Sequence, residues 1–229
     1  ADWQTLSLQK VSIAGGTNQI LRLDFAGGEF NIDKIQFVQT ASIDCNGDVN
    51  GTAYFDNCAQ CVGGNTGKNP CATQTIYLNK GWNIISFNVS AADMKVTSVF
   101  SSVMGNVSLI KTQQSIYSPS LPSYLNSLQT IAVGDAYLVK MDNADTLSVD
   151  GTSVGAVSKM LVAGWNLCGY PRSQNMSISN AFADIFSSIQ NVKNFEGFYV
   201  PGSSTSSLTE LKPGEGYFIK VSSSCVTGF

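Results

Sequence analysis

The chain has 229 residues, and its 13 Lys and Arg against 16 Asp and Glu give a formal net charge of -3, so it lacks the basic stripe that nucleic acid or an anionic membrane surface demands. It contains no histidine, which excludes Ser-His-Asp and Cys-His catalysis and His-ligated metals. With 43% hydrophobic residues the chain can bury real cores, yet only 13% are charged, and Ser, Thr, Asn and Gln cover the remainder of the surface.

No apolar run approaches the roughly 18 residues of a membrane-spanning helix. The first residues already read as strand, without a signal peptide, so the sequence is expected to be a mature or excised piece of something larger. Six cysteines, an even number, place it in an oxidising compartment.

In residues 1–40, Leu6 and Leu8, Val11 and Ile13, Leu21, Leu23 and Phe25, and then Ile35 and Phe37 alternate with polar neighbours between the breaks Gly15-Gly16 and Gly27-Gly28. This period of two predicts three or four half-buried antiparallel strands. Trp3-Gln4-Thr5, the stretch Ala14 to Thr17 leading to Leu21-Arg22-Leu23, and Phe30 to Phe37 resemble the C-terminal third of a family 6 carbohydrate-binding module, a β-jelly-roll. The resemblance implies a sugar-binding cleft with an aromatic platform at Trp3 and an amide at Asn31. An indole face stacks on the C–H face of a pyranose, and an amide bridges two hydroxyls.

Residues 41–73 are of another kind. Asp44 to Cys71 holds four cysteines, five glycines and almost no aliphatic residues, so it cannot bury a core and needs covalent or ionic staples. Asp44, Asn46, Asp48 and Asn50 alternate and lead to Gly51, as in the opening of a calcium loop, although Phe55 stands where an EF-hand has its bidentate Glu. Asp56 is the closing carboxylate expected instead. Cys58-x-x-Cys61 is a single pair without histidine, which favours disulfides over zinc among Cys45, Cys58, Cys61 and Cys71. Of three possible connectivities the sequential one, Cys45 with Cys58 and Cys61 with Cys71, is the simplest. The whole stretch resembles the thrombospondin type 3-like calcium-binding connectors between modules of secreted bacterial polysaccharide-degrading enzymes. That resemblance implies Ca2+ as cofactor, with Asp44 and Asp56 the leading ligands and Asn46, Asp48 and Asn50 completing the set.

Residues 74–229 repeat themselves. Leu78 to Ser86 matches Leu161 to Gly169 around a shared Gly-Trp-Asn, Val99 to Val103 matches Ile185 to Ile189, and Gly134 to Lys140 matches Gly214 to Lys220. The copies, 74–160 and 161–229, are expected to pack about a pseudo-twofold axis as one α+β domain. Ile76 to Val89 reads as a central strand pair; Val96 to Met104 and Ser179 to Gln190 carry helical spacing, with Ser179 as N-cap. Trp82 and Trp165 are expected in the core as equivalents, as are Tyr137 and Tyr217, and Phe100 and Phe186. Cys168 and Cys225 remain as a third disulfide.

The expected fold is therefore mainly β with some α: a jelly-roll fragment, a stapled connector and a duplicated α+β domain. No carboxylate lies in a motif suited to catalysis, so the chain reads as a non-catalytic, secreted or cell-surface accessory region. Its expected partners are a polysaccharide and a catalytic domain of the same polypeptide. The alternative is a structural or adhesive surface protein whose duplicated domain makes protein contacts.

Overall fold

The structure, a computed structural model, describes residues 42–56 and 58–228 together with Ile32, Lys34 and Ile35. The chain divides into two compact units, residues 1–40 and 41–229, so the Cys-rich stretch belongs to the same unit as the duplicated region. The jelly-roll strands, Trp3 and Asn31 lie outside the described residues.

The Cys-rich stretch contributes only a two-residue ladder, β1 (Tyr54–Phe55) with β2 (Cys61–Val62). The first copy then runs β3 (Cys71–Leu78), β4 (Gly81–Ser86), β5 (Val89–Ser90), α1 (Val96–Val99), β6 (Val107–Lys111), β7 (Ile116–Tyr117), β8 (Ala136–Met141) and β9 (Asp145–Ser153). The second runs β10 (Ser158–Leu161), β11 (Gly164–Gly169), β12 (Met176–Ser177), α2 (Ile178–Ala181), β13 (Ile189–Lys193), β14 (Phe198–Tyr199), β15 (Glu210–Leu211), β16 (Gly216–Val221) and β17 (Cys225–Gly228). The molecule is mainly β with some α, built from antiparallel sheets.

Both copies form the same four-stranded sheet, ordered β4-β8-β6-β7 and β11-β16-β13-β14. Gly81 pairs with Met141 through to Ser86 with Ala136, as Gly164 pairs with Val221 through to Gly169 with Gly216. Each sheet has a register shift at the same place, between Val107 and Leu109 and between Ile189 and Asn191. Each buries its inner face in its own core. Phe87, Phe100 and Tyr137 meet edge-on at 6.0 and 5.9 Å in the first, the separation such ring pairs prefer. Tyr170, Phe182 and Tyr217 are buried together in the second.

The copies join through their sheets. The Ser86 N–H donates to the Gly214 carbonyl at 3.0 Å and the Gly169 N–H to the Gly134 carbonyl at 3.1 Å, and the bridges Ile85 to Glu215 and Cys168 to Asp135 exchange equivalent positions. These are the reciprocal contacts of a pseudo-twofold axis. Ile84, Ala136 and Leu167 form a small third cluster there, packed by Leu138 and Phe218. A Cβ added to Gly216 would stand 2.6 Å from that of Ala136, and one added to Gly169 would stand 2.6 Å from that of Ser86. At two points on the seam, then, one copy supplies the only side chain.

Four expectations are corrected by the structure. The helices are short: α1 stops at Val99, and α2 gives way after Ala181 to the 3-10 helix Ala183–Ser188. The N-cap is Ser177, whose hydroxyl accepts the Asn180 N–H at 3.3 Å. Phe100, the residue after α1, corresponds to Phe182, the buried residue after α2; Phe186 is 36% exposed and stacks at 6.4 Å on Tyr199. Finally, Ile76 to Val89 is not a strand pair, because β3 pairs with β9 and β4 with β8 in different sheets.

Candidate functional site

In the Cys-rich stretch each aspartate organises a loop. The Asp44 carboxylate accepts the N–H groups of Asn46 at 2.9 Å and Asp48 at 3.0 Å on Oδ1, and of Ala53 at 2.9 Å on Oδ2. Asp56 repeats the pattern two and four residues on, taking Cys58 and Gln60 at 2.9 Å on Oδ1 and Cys71 at 2.7 Å on Oδ2. Such local carboxylate bonds replace a sheet ladder where the sequence offers no core. The Ala53 N–H, above all, holds the Asp44 carboxyl below its ordinary range, as the Cys71 N–H does for Asp56. Gly51 is required here, since a Cβ would fall 2.0 Å from Asp44 Oδ2.

The same geometry decides the disulfides. Cys45 bonds Cys61 and Cys58 bonds Cys71, interleaved where sequential pairs were expected. Asp56 grips the N–H groups of both Cys58 and Cys71, which sets their Cα atoms 6.0 Å apart, within bonding range. Cys168 and Cys225 are not bonded to each other: Cys168 lies in β11 opposite Tyr217, and Cys225 in β17 opposite Leu161. Burial pushes the Cys168 thiol up to about 12.

A calcium shell needs six to eight oxygens converging on one point. Here Asp44 and Asp56 each commit three of about four lone-pair sites to backbone donors of separate loops. Asn46 Nδ2 donates to Asp48 Oδ2 at 3.0 Å, and Asn50 Oδ1 accepts the Ser42 N–H at 3.3 Å. No group of three or more His, Cys, Asp or Glu among the described residues is arranged to hold a metal ion. The donor set as arranged does not fit calcium.

The second site arises from the Gly-Trp-Asn motif. Gly81 and Gly164 take φ of 91° and 98°, opening the turn before each strand. The Asn83 amide closes it, accepting the Asn79 N–H at 2.8 Å and donating to the Asn79 carbonyl at 2.8 Å and the Gly81 carbonyl at 3.2 Å. Asn166 makes the same three bonds to Val162 and Gly164. With Asn83 and Ile85 turned to the copy's own core, the period of two turns Trp82 and Ile84 to the opposite face, where Ile84 is buried at the seam and Trp82 is not. Trp82 is 40% and Trp165 39% exposed, which corrects the expectation that they are core.

Each indole lies in a basic setting. Lys111 Nζ stands 4.9 Å from the Trp82 ring centre and Lys193 Nζ 4.5 Å from that of Trp165, while Lys140 and Lys220 are the cross-strand neighbours. Trp165 opens onto a groove of about 540 Å³ whose walls include Asn191, Val200, Pro201 and Lys220. Gln113 of the first copy reaches across, donating to the Trp165 carbonyl and accepting the Leu167 N–H, both at 3.2 Å. These bonds cover the free edge of β11 and fix the indole's backbone.

The tyrosines of the second repeated motif are structural. Tyr137 accepts the Ala132 N–H at 2.7 Å and Tyr217 the Lys212 N–H at 2.8 Å, and burial raises both hydroxyls above the usual phenol range. The sequence signal for the indole site was the lysines. Each follows a buried residue at equivalent places, Ile110-Lys111 and Val192-Lys193, Val139-Lys140 and Ile219-Lys220, so period two alone turns them to the Trp face. No family model matches the chain, and no curated protein and no solved structure matches it.

Proposed function

We propose that this chain is a non-catalytic, carbohydrate-binding accessory region of a secreted polysaccharide-degrading enzyme. The observation that carries the reading is the pair of half-exposed indoles, Trp82 and Trp165, held at equivalent places on two sheets by the same Asn clasp. Burying a large aromatic is the ordinary outcome, and presenting two with fixed backbones on a low-charge surface suits stacking against pyranose C–H faces. Two disulfides and the absence, among the described residues, of a helix able to cross a membrane are compatible with an extracellular setting. Trp3 and Asn31 remain the second proposed contact with sugar.

Affinity electrophoresis of the full chain through gels containing plant and algal polysaccharides tests the reading. Retardation by at least one polymer, lost in Trp82→Ala with Trp165→Ala but kept in Trp3→Ala, assigns binding to the duplicated domain. Retardation lost only in Trp3→Ala or Asn31→Ala assigns it to the first unit. No retardation by any polymer removes the carbohydrate reading in favour of a structural or adhesive role.

A further inference from the structure

We propose that the Trp165 face is a binding site for an acidic polysaccharide carrying uronic acid residues, with Trp82 as a weaker second site. This deepens the carbohydrate reading and rests on it.

The first ground is charge. The chain is net negative, yet four of its 13 Lys and Arg, Lys111, Lys140, Lys193 and Lys220, surround the two outward indoles. The ion pairs among the described residues are Lys95 with Asp93 and Lys159 with Asp135, so none of the four lysines has a carboxylate partner among the described residues. A neutral glycan needs no ammonium groups. The repetition of the set in both copies, at matching register, separates it from a scattered solubilising charge.

The second ground is shape. A pyranose lying on an indole presents its C–H face to the ring, and an equatorial carboxylate at C5 lies in the mean plane of the sugar, at its rim. An ammonium 4.5 Å from the indole centre, on a flexible four-carbon stem, reaches that rim by leaving the ring it now covers. The cation–π contact it gives up is weak at an exposed site, so a carboxylate competes for it easily.

The third ground separates the copies. Asn191 Oδ1 is buried in the wall of the Trp165 groove without a hydrogen-bond partner, and pairs in register with Lys220. A buried amide oxygen left unmet is unfavourable, and a turn of the Asn191 side chain, which lines the groove, brings that oxygen to a sugar hydroxyl there. The corresponding residue beside Trp82 is Leu109, opposite Lys140. The second copy therefore has an indole, two ammoniums and a polar acceptor where the first has an indole, two ammoniums and an aliphatic wall.

Titration calorimetry of the full chain at about 50 mM salt with polygalacturonate, a neutral β-glucan, a neutral galactomannan and dextran sulfate tests this, since surface electrostatics are strongest at low ionic strength. The expected result is binding of polygalacturonate above both neutral polymers, weakened by roughly tenfold in Trp165→Ala and in Lys193→Gln with Lys220→Gln, each change corresponding to about 1.4 kcal/mol. Trp82→Ala is expected to weaken it less. Binding of a neutral polymer as tightly as polygalacturonate, unaffected by the lysine variants, overturns the acidic specificity and leaves the carbohydrate reading standing. Equal binding of dextran sulfate and polygalacturonate, insensitive to Trp165→Ala, overturns the site as simple ion exchange. Binding of no polymer overturns the carbohydrate reading itself. Circular dichroism of each variant checks that the fold persists.

Discussion

The Cys-rich stretch and the duplicated region hold their shape by different means. In residues 74–228 two aromatic-rich cores and continuous ladders do the work, and polar side chains close turns at the periphery. Among the described residues between Asp44 and Cys71 there is one short ladder, and two carboxylates gather backbone N–H groups around themselves while two interleaved disulfides fix the result. A stretch with few aliphatic residues can still be ordered, provided acceptors stand where strands and helices are missing.

That contrast breaks most visibly in the cores. Phe100→Ala and Phe182→Ala are expected to destabilise the duplicated region by roughly 3–5 kcal/mol each. Equal losses in chemical denaturation confirm their equivalence, and Phe186→Ala, at an exposed ring, costs much less. Cys58→Ser with Cys71→Ser removes a loop closure worth about 3 kcal/mol in the chain-entropy account, and reduction opens both loops. Its expected sign is rapid proteolysis within residues 44–71, with the main thermal transition little changed.

Asn83→Ala leaves backbone groups of the turn unmet, at about 1–3 kcal/mol, and Asn166→Ala should match it. A large difference between the two breaks the equivalence of the copies. Acid addresses the stretch instead. Asp44 and Asp56 titrate below their ordinary value of 3.8, so the stability they give is present above that value and is lost as pH falls through the depressed one. Protease resistance of residues 44–71 should therefore hold at pH 5 and decline only as pH falls below 3.8. The smallest effect is expected from a chelator. EDTA should leave that resistance unchanged, and a clear loss would show that calcium reshapes the loops and draws Asp44 and Asp56 into one shell.

The duplication was legible because Gly-Trp-Asn and the tyrosine motif serve turns, and a turn fixes residue types at fixed offsets. The β-rich class followed from the same periodicities. The side on which each Trp lies was not legible from its own strand, where Trp82, Ile84 and Ile85 are all apolar and leave period two without a polar phase. The phase was present one strand away, in the lysines. The Phe186 mismatch came from a chance Phe-Ser-Ser in both copies, four residues out of register with the buried ring. Disulfide connectivity was hidden for another reason: Asp56 brings Cys58 and Cys71 together through backbone donors, which leave no trace in cysteine spacing.

The seam has one more consequence, and it concerns descent. A duplicated domain begins as two interchangeable halves, each able to pair with itself. Here Ala136 faces Gly216 and Ser86 faces Gly169, with no room for a second Cβ at either point. Two first halves would set alanine on alanine and serine on serine, while two second halves would leave both places empty. A symmetric pair of first halves therefore clashes at both points, a pair of second halves does not, and the seam favours one half of each kind.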